Sequence, residues 1–209
     1  MQTLFIFFDL GNVLLKFNVR KLARQTAALC RCTEEQVLEA AYGGGMQHRV
    51  ETGTIEMDEF YETFCQRIGN RPDRETLNTA LSDMFWTFDE TQPLLKHLSD
   101  IDFPRGIISN IGVGHWEYCT RTFPFIQQYL PHHHILSYRT GIMKPDKRIY
   151  QIAYETAQRV VPNIEKAEVM FLDDMPNNVL SAQEFGFNAI QWSGKETDNV
   201  YRGIAGTPP

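Results

Sequence analysis

Basic clusters are missing from this chain. Its 20 lysines and arginines are outnumbered by 26 aspartates and glutamates, for a formal net charge of −6, and they are scattered. A nucleic-acid surface needs a basic patch, so nucleic acid is not an expected partner. A small anion stays open, because one lysine and one metal ion can hold a phosphate inside an acidic protein. Long hydrophobic runs are missing too. The apolar start, residues 1–8, is short, has no basic flank and is cut off by Asp9. It reads as a strand rather than a signal peptide or a membrane span. No membrane partner is therefore expected, and a cytoplasmic location is the default. Cysteine is sparse, with Cys30, Cys32, Cys65 and Cys119 and no CxxC pair. Zinc lacks its second pair of ligands, and the four read as reduced thiols packed like small hydrophobes. There is no internal repeat or low-complexity tract, and nothing points to an oligomeric state.

What is present is ordinary globular material, 43% hydrophobic and 22% charged in 209 residues. That length suits one domain with a smaller insert. Leu4–Phe8 is continuously apolar, as a strand buried on both faces should be. Similar runs follow at Phe103–Ile108, Val169–Leu172 and Ala189–Trp192, with a shorter one at Ile135–Leu136. Each stops at polar residues, as strands do where loops gather at one edge of a parallel sheet. Helical spacing separates them at Gln92–Leu98, Asp146–Val160 and Pro176–Phe185, with Pro145 near the start of the second and Gly186 closing the third. The expected class is α/β with a mainly parallel sheet. Between Phe17 and Phe85 the texture is helical without a convincing strand. Thr33–Tyr42 opens as a capping box, Gly43-Gly44-Gly45 breaks it, and Asp58–Ile68 follows. The expected organisation is a core of residues 1–16 and 86–209, with a small all-helical insert over 17–85. Gly203–Pro209 reads as a loose tail.

Four strand ends carry polar chemistry. Asp9 closes the first strand, and a carboxylate there can attack phosphorus. Ser109-Asn110 closes the run Gly106-Ile107-Ile108, where a hydroxyl and backbone amides can bind phosphoryl oxygens. Lys144, in Met143-Lys144-Pro145-Asp146, is a point charge placed before a helix. Asp173-Asp174 ends the run Phe171-Leu172, where adjacent acids are costly unless a cation binds. Taken singly, each has a bland reading as a cap or a surface charge. With Asp9, the two acids make an oxygen-rich site suited to Mg²⁺.

On these residues the chain resembles the haloacid dehalogenase-like hydrolases. The first motif is Phe8-Asp9-Leu10-Gly11-Asn12-Val13 and the second Ile108-Ser109-Asn110. The third is Lys144-Pro145-Asp146, and the fourth Leu172-Asp173-Asp174 with Asn178. The resemblance implies a Rossmann-like three-layer core, with the insert over 17–85 as a small all-helical cap. It implies that Asp9 is the nucleophile and a Mg²⁺ ligand, with the backbone carbonyl of Gly11 as a second ligand. It implies that Asp174 binds the metal directly, Asp173 mostly through water, and that Asn178 steadies their loop. Ser109, Asn110, Lys144, Gly11 and Asn12 would contact the phosphate, with Lys144 and Ser109 assisting catalysis. The opening Asp-Leu-Gly-Asn-Val, the run His48–Ile55 and the stretch from Ser109 to His115 are similar to bacterial sugar-phosphate phosphatases. A glucose-1-phosphate-like substrate, a small phosphorylated metabolite, follows from that likeness.

One residue departs from the pattern. Phosphatases of this kind carry an acid two positions after the nucleophile, and here Gly11 stands there. General acid–base help is worth about 10²–10⁴ in rate. Either the leaving group departs easily, or another residue such as His115 or His48 supplies the proton, or turnover is weak. The rival readings are a metal-free 2-haloacid dehalogenase and a phosphate-binding regulator that has lost turnover. A phosphonate-cleaving enzyme would want a cap lysine, and Lys21 is the only one. His132-His133-His134 resembles a metal tract but runs into a strand, where neighbouring side chains alternate faces.

Overall fold

The computed structural model describes residues 2–204. Five strands form one parallel sheet: β1 (Phe5–Phe8), β4 (Arg105–Ser109), β5 (His134–Leu136), β6 (Val169–Asp173) and β7 (Asn188–Gln191). Their order is β5-β4-β1-β6-β7. The chain adds strands first on one side of β1 and then on the other, so β1 lies at the point where the strand order reverses. Open α/β sheets bind ligands beyond the carboxyl end of such a strand.

Register sets which residues meet there. Phe8 lies level with Ile107 on one neighbour and Leu172 on the other. Asp9 and Asp173 are each the next residue, so they leave the sheet side by side. The Asp9 amide still donates to the Leu172 carbonyl at 2.8 Å.

Helices cover both faces because alternate strand residues are apolar on both. Phe5 and Phe7 pack with Ile149, Tyr150 and Ala153 of α10 (Lys147–Val160) and with Val179 and Ala182 of α11 (Pro176–Phe185). Ile6 and Phe8 join the other cluster, with Leu94, Leu95 and Leu98 of α6 (Gln92–Asp100) and with Trp116 and Cys119 of α7 (Val113–Thr122). The core is the expected three-layer α/β arrangement.

Five α-helices stand between Phe17 and Phe85: α1 (Val19–Cys30), α2 (Glu34–Tyr42), α3 (Met46–Glu51), α4 (Met57–Ile68) and α5 (Arg74–Ser82). Thr33 and Gln36 close the capping box that starts α2. Gly43 ends that helix and Gly45, in the left-handed region at φ 76°, opens α3. The helices hang on an antiparallel ribbon of β2 (Leu15–Phe17) and β3 (Phe85–Thr87). At three residues each, these strands are too short to show periodicity, and they straddle the boundaries read at 16/17 and 85/86.

Other differences are local. Pro145 stands just before the N-cap Asp146 of α10, near the helix start as expected, and α10 itself begins one residue later than read, at Lys147; the Lys144–Pro145 peptide is cis. The fourth strand begins at Arg105, since the Phe103 amide is spent on the Leu98 carbonyl and Pro104 has none to give. Gly203 is not tail: it ends α12 (Thr197–Gly203), and the buried Ile204 bridges to Thr3. The rest of the expected tail, 205–209, lies outside the described residues. All four cysteines are free, three of them buried. No helix among the described residues is long and apolar enough to cross a membrane.

Candidate active site

Lys144 organises the sheet edge. Its Nζ lies 2.8 Å from Asp9 Oδ1 and 2.7 Å from Asp173 Oδ2, with the side chain only 1% exposed. It also donates to the Ile108 carbonyl at 3.0 Å, so its three protons have three acceptors. The loop that carries it is fixed by Asn110. The Asn110 amide donates to the Lys144 carbonyl at 2.9 Å, and the Lys144 N–H donates back to Asn110 Oδ1 at 2.8 Å. Asn110 therefore has its side chain committed to placing Lys144, which leaves its backbone for a ligand.

The carboxylates are held just as closely. Asp173, fully buried, accepts from the Met175 N–H at 2.8 Å and from Asn178 Nδ2 at 3.0 and 3.1 Å. Asn178 is in turn fixed at the start of α11, where its carbonyl accepts from Tyr150. Asp174 accepts from Asn12 Nδ2 at 3.0 Å. Asn12 can reach it because its backbone sits at φ 52°, a left-handed conformation that asparagine tolerates. Asp9 Oδ1 also accepts from the Leu10 N–H at 2.7 Å. Neither of its two contacts uses Oδ2.

Asp9, Asp173 and Asp174 bring ligand oxygens within 4.8 Å of one another. Three carboxylates against one ammonium leave two surplus negative charges. Burial raises the Asp9 pKa to about 7, opposed by Lys144 and reinforced by the charges of Asp173 and Asp174. Burial raises Asp174 as well, against the hydrogen bond from Asn12. Burial alone would lower Lys144, but Asp9 and Asp173 outweigh it and hold the ammonium above its ordinary value. The site is short of positive charge by what a divalent cation carries, and all-oxygen donors suit Mg²⁺.

In front of this edge is a cavity of about 140 Å³, lined by Gly11, Ser109 and Asn110 from the core and by Tyr42, Gln47 and Glu51 from the helices. A smaller space of about 60 Å³ shares Tyr42, Gln47, Glu51 and His115 with it. The two histidines considered as proton donors fare differently. His115 lines both spaces, but it is buried and its Nε2 lies 3.1 Å from the Leu81 carbonyl. A carbonyl only accepts, so Nε2 carries the proton and gives it to Leu81. Burial also lowers the His115 pKa. His48 is exposed on α3 and lines neither space. Lys21 is paired with Asp83 at the exposed surface. His134 binds the Leu130 carbonyl through Nε2, and the three-histidine tract forms no metal cluster among the described residues.

The sequence model of the haloacid dehalogenase-like hydrolases matches residues 5–186, a span that holds every motif above. This chain belongs to that family. The hydrolase is similar in structure to a HAD family enzyme from Bacteroides thetaiotaomicron, at 21% identity over 97% of this chain and 100% of that one, with a TM-score of 0.81. The same enzyme in complex with magnesium and inorganic phosphate gives 22% identity, 96% and 100% coverage and a TM-score of 0.78. A protein from Porphyromonas gingivalis described as a predicted HAD-like family hydrolase gives 21%, 97%, 98% and 0.78. The L-2-haloacid dehalogenase from Xanthobacter autotrophicus is more distant, at 18% identity, 100% and 85% coverage and 0.61. At these identities the likeness concerns the fold.

Sequence reasoning gives no cavity role to Gln47 and Glu51, which line the larger cavity of the hydrolase. The run His48–Ile55 marks the neighbourhood. Nothing in its order says that Glu51, rather than His48, faces the core.

Proposed function

We propose that this hydrolase is a Mg²⁺-dependent phosphatase that cleaves a small phosphate monoester, a sugar phosphate, through an aspartyl-phosphate. The observation that carries the reading is the meeting of Asp9, Lys144, Asp173 and Asp174 at one sheet edge, with an oxygen of Asp9 left over. Asp9, Asp174 and the Gly11 carbonyl would hold the ion, with Asp173 supporting it through water. When bound, the ion supplies the missing positive charge, keeping Asp9 ionised and drawing charge from the phosphoryl group. Asp9 attacks phosphorus through Oδ2, the oxygen that Lys144 and the Leu10 N–H leave free. Lys144 pins Oδ1 and neutralises charge. The Ser109 hydroxyl and the backbone at Gly11, Asn12 and Asn110 orient the phosphoryl oxygens. Water then releases phosphate from Asp9. Residues 17–85 act as a cap that closes over the cavity and selects the substrate.

The family fold also serves dehalogenation, as the Xanthobacter relative shows by name. In this hydrolase three clustered carboxylates would repel a haloacid's own carboxylate, which favours the phosphate reading. The test is phosphate release from sugar phosphates and p-nitrophenyl phosphate, in Mg²⁺ and in EDTA. Release in Mg²⁺ only, lost by at least about 10³-fold in Asp9→Asn, is the expected result. Halide release in EDTA supports the dehalogenase. Phosphate binding without release supports a regulator.

A further inference from the structure

The place of the missing acid is filled. A Cβ at position 11 would stand 3.0 Å from Phe17 Cε1, so the ring of Phe17 occupies the space into which an acid at that position would project. Among the described residues, one carboxylate lines the cavity above Gly11 and Ser109, and it comes from the opposite wall: Glu51, the last residue of α3.

Two close approaches put Glu51 there. Gly112, just after the β4 loop, lies so near Val50 that a Cβ on it would overlap the valine side chain. Gly53 lies so near the Tyr138 carbonyl that a Cβ there would overlap backbone, and its φ of 65° calls for glycine independently. The residues around Glu51 are thus pressed onto the loop after β4 and onto the short helix Ser137–Thr140 that follows β5. Thr52 closes the last turn through a 2.6 Å hydrogen bond to the His48 carbonyl. Gln47 Nε2 donates to Glu51 Oε1 at 3.0 Å, a contact that leaves Oε2 unused.

We propose that Glu51 is the proton donor to the leaving oxygen and takes over the task that position 11 cannot perform. The inference rests on the phosphatase reading above. As Asp9 Oδ2 bonds to phosphorus, the bond from phosphorus to the leaving oxygen breaks and its electron pair stays on that oxygen. The Glu51 carboxyl gives its proton there, so the products are a neutral alcohol, aspartyl-phosphate and the Glu51 carboxylate. Water then attacks phosphorus, Glu51 takes a proton from it, and the bond from phosphorus to Asp9 breaks. Asp9 and the protonated Glu51 are restored with inorganic phosphate released.

The surroundings suit an acid. Burial raises the Glu51 pKa, against the hydrogen bond from Gln47 and the charges of His48 and Lys144. The other titratable groups near it are Tyr42, whose hydroxyl burial and the Glu51 charge push upward, and the neutral-leaning His115. A general acid works best when its pKa lies near the working pH.

The test is Glu51→Gln, which keeps the oxygen that accepts from Gln47, assayed with Mg²⁺ on phosphate esters whose leaving groups range from p-nitrophenol to simple alcohols. The readout is kcat/KM, which ends at the first irreversible step and so reports leaving-group departure. The loss should grow with the basicity of the leaving group, from a few-fold for p-nitrophenyl phosphate to about 10²–10³-fold for alkyl phosphates. A uniform loss in a variant whose thermal unfolding matches that of the unmodified chain, or no loss, overturns the proton-donor role while the phosphatase reading stands. If the unmodified chain releases phosphate from no ester, the phosphatase reading falls and Glu51 with it. A misfolded variant loses all substrates together, so the graded series separates chemistry from structure.

Discussion

The two walls of the cavity are built differently. At the sheet edge Lys144, Asp9 and Asp173 are each held by two contacts or more. Lys144 meets Asp9, Asp173 and a carbonyl, and Asp173 also meets Asn178 and a backbone amide. On the helical wall, Glu51 has one side-chain hydrogen bond, and its place is set by backbone approach at Gly53 and Gly112. The helices' own ion pairs, such as Arg49–Glu59 and Arg71–Glu62, lie at the surface. The contrast matches the chemistry. A phosphoryl group is the same in every monoester and rewards rigid charges placed in advance. The leaving group varies, and the wall facing it can be tuned by how the helices dock.

The contrast can be broken from either side. The largest effect is expected at Lys144. Lys144→Met should lower phosphate release by about 10³-fold. It should also cost the metal-free fold about 3–5 kcal/mol, because Asp9 and Asp173 are left buried without their partner. Urea unfolding in EDTA measures the second effect, and unchanged stability would mean that the edge is less interdependent than its contacts imply.

Next comes an exchange of the acid between walls. In a Glu51→Gln, Phe17→Ala background, Gly11→Asp should recover about tenfold of the lost alkyl-phosphate activity. It should do less with Phe17 present, since that ring fills the space. Equal recovery with and without the ring would contradict the steric account.

A third prediction concerns pH. The folded state raises Asp9 from 3.8 to about 7, so it keeps a proton that the unfolded chain releases. In EDTA, stability should therefore fall as pH rises across that window. Mg²⁺ should remove the fall by favouring the ionised form, and Asp9→Asn should flatten it without metal. Thermal unfolding against pH, with and without Mg²⁺, checks the sign. The smallest effect belongs to the outer surface of the helices. Arg71→Ala removes an exposed pair, and no resolvable change in Tm or activity is expected.

The sheet edge was more legible in the sequence than the helical wall, for a physical reason. Strands buried on both faces are written as unbroken apolar runs, so their polar ends stand out, and Asp9, Ser109 and Asp173 could be read from one stretch each. Pro176–Phe185 carried its own start and stop, and the helix has those bounds. The position of Glu51 depends instead on Val50 meeting Gly112 and on Gly53 meeting Tyr138, residues distant in sequence. Helix α3 has six residues, too few for a periodic pattern. Phe17 looked like part of an insert, and only the ribbon pairing with Phe85 brings its ring over Gly11. Gly203 invited reading as tail because glycine and proline follow closely, while the bridge between Thr3 and Ile204 that holds it is a long-range contact.

The central claim is that Asp9 becomes phosphorylated. Acid-quenching the chain during turnover of p-nitrophenyl phosphate in Mg²⁺, followed by peptide mass analysis, tests it directly. The account predicts one phosphoryl group on the peptide that carries Asp9, absent in EDTA and in Asp9→Asn. Phosphate release that continues in Asp9→Asn, with no phosphoryl group on that peptide in the unmodified chain, would contradict it.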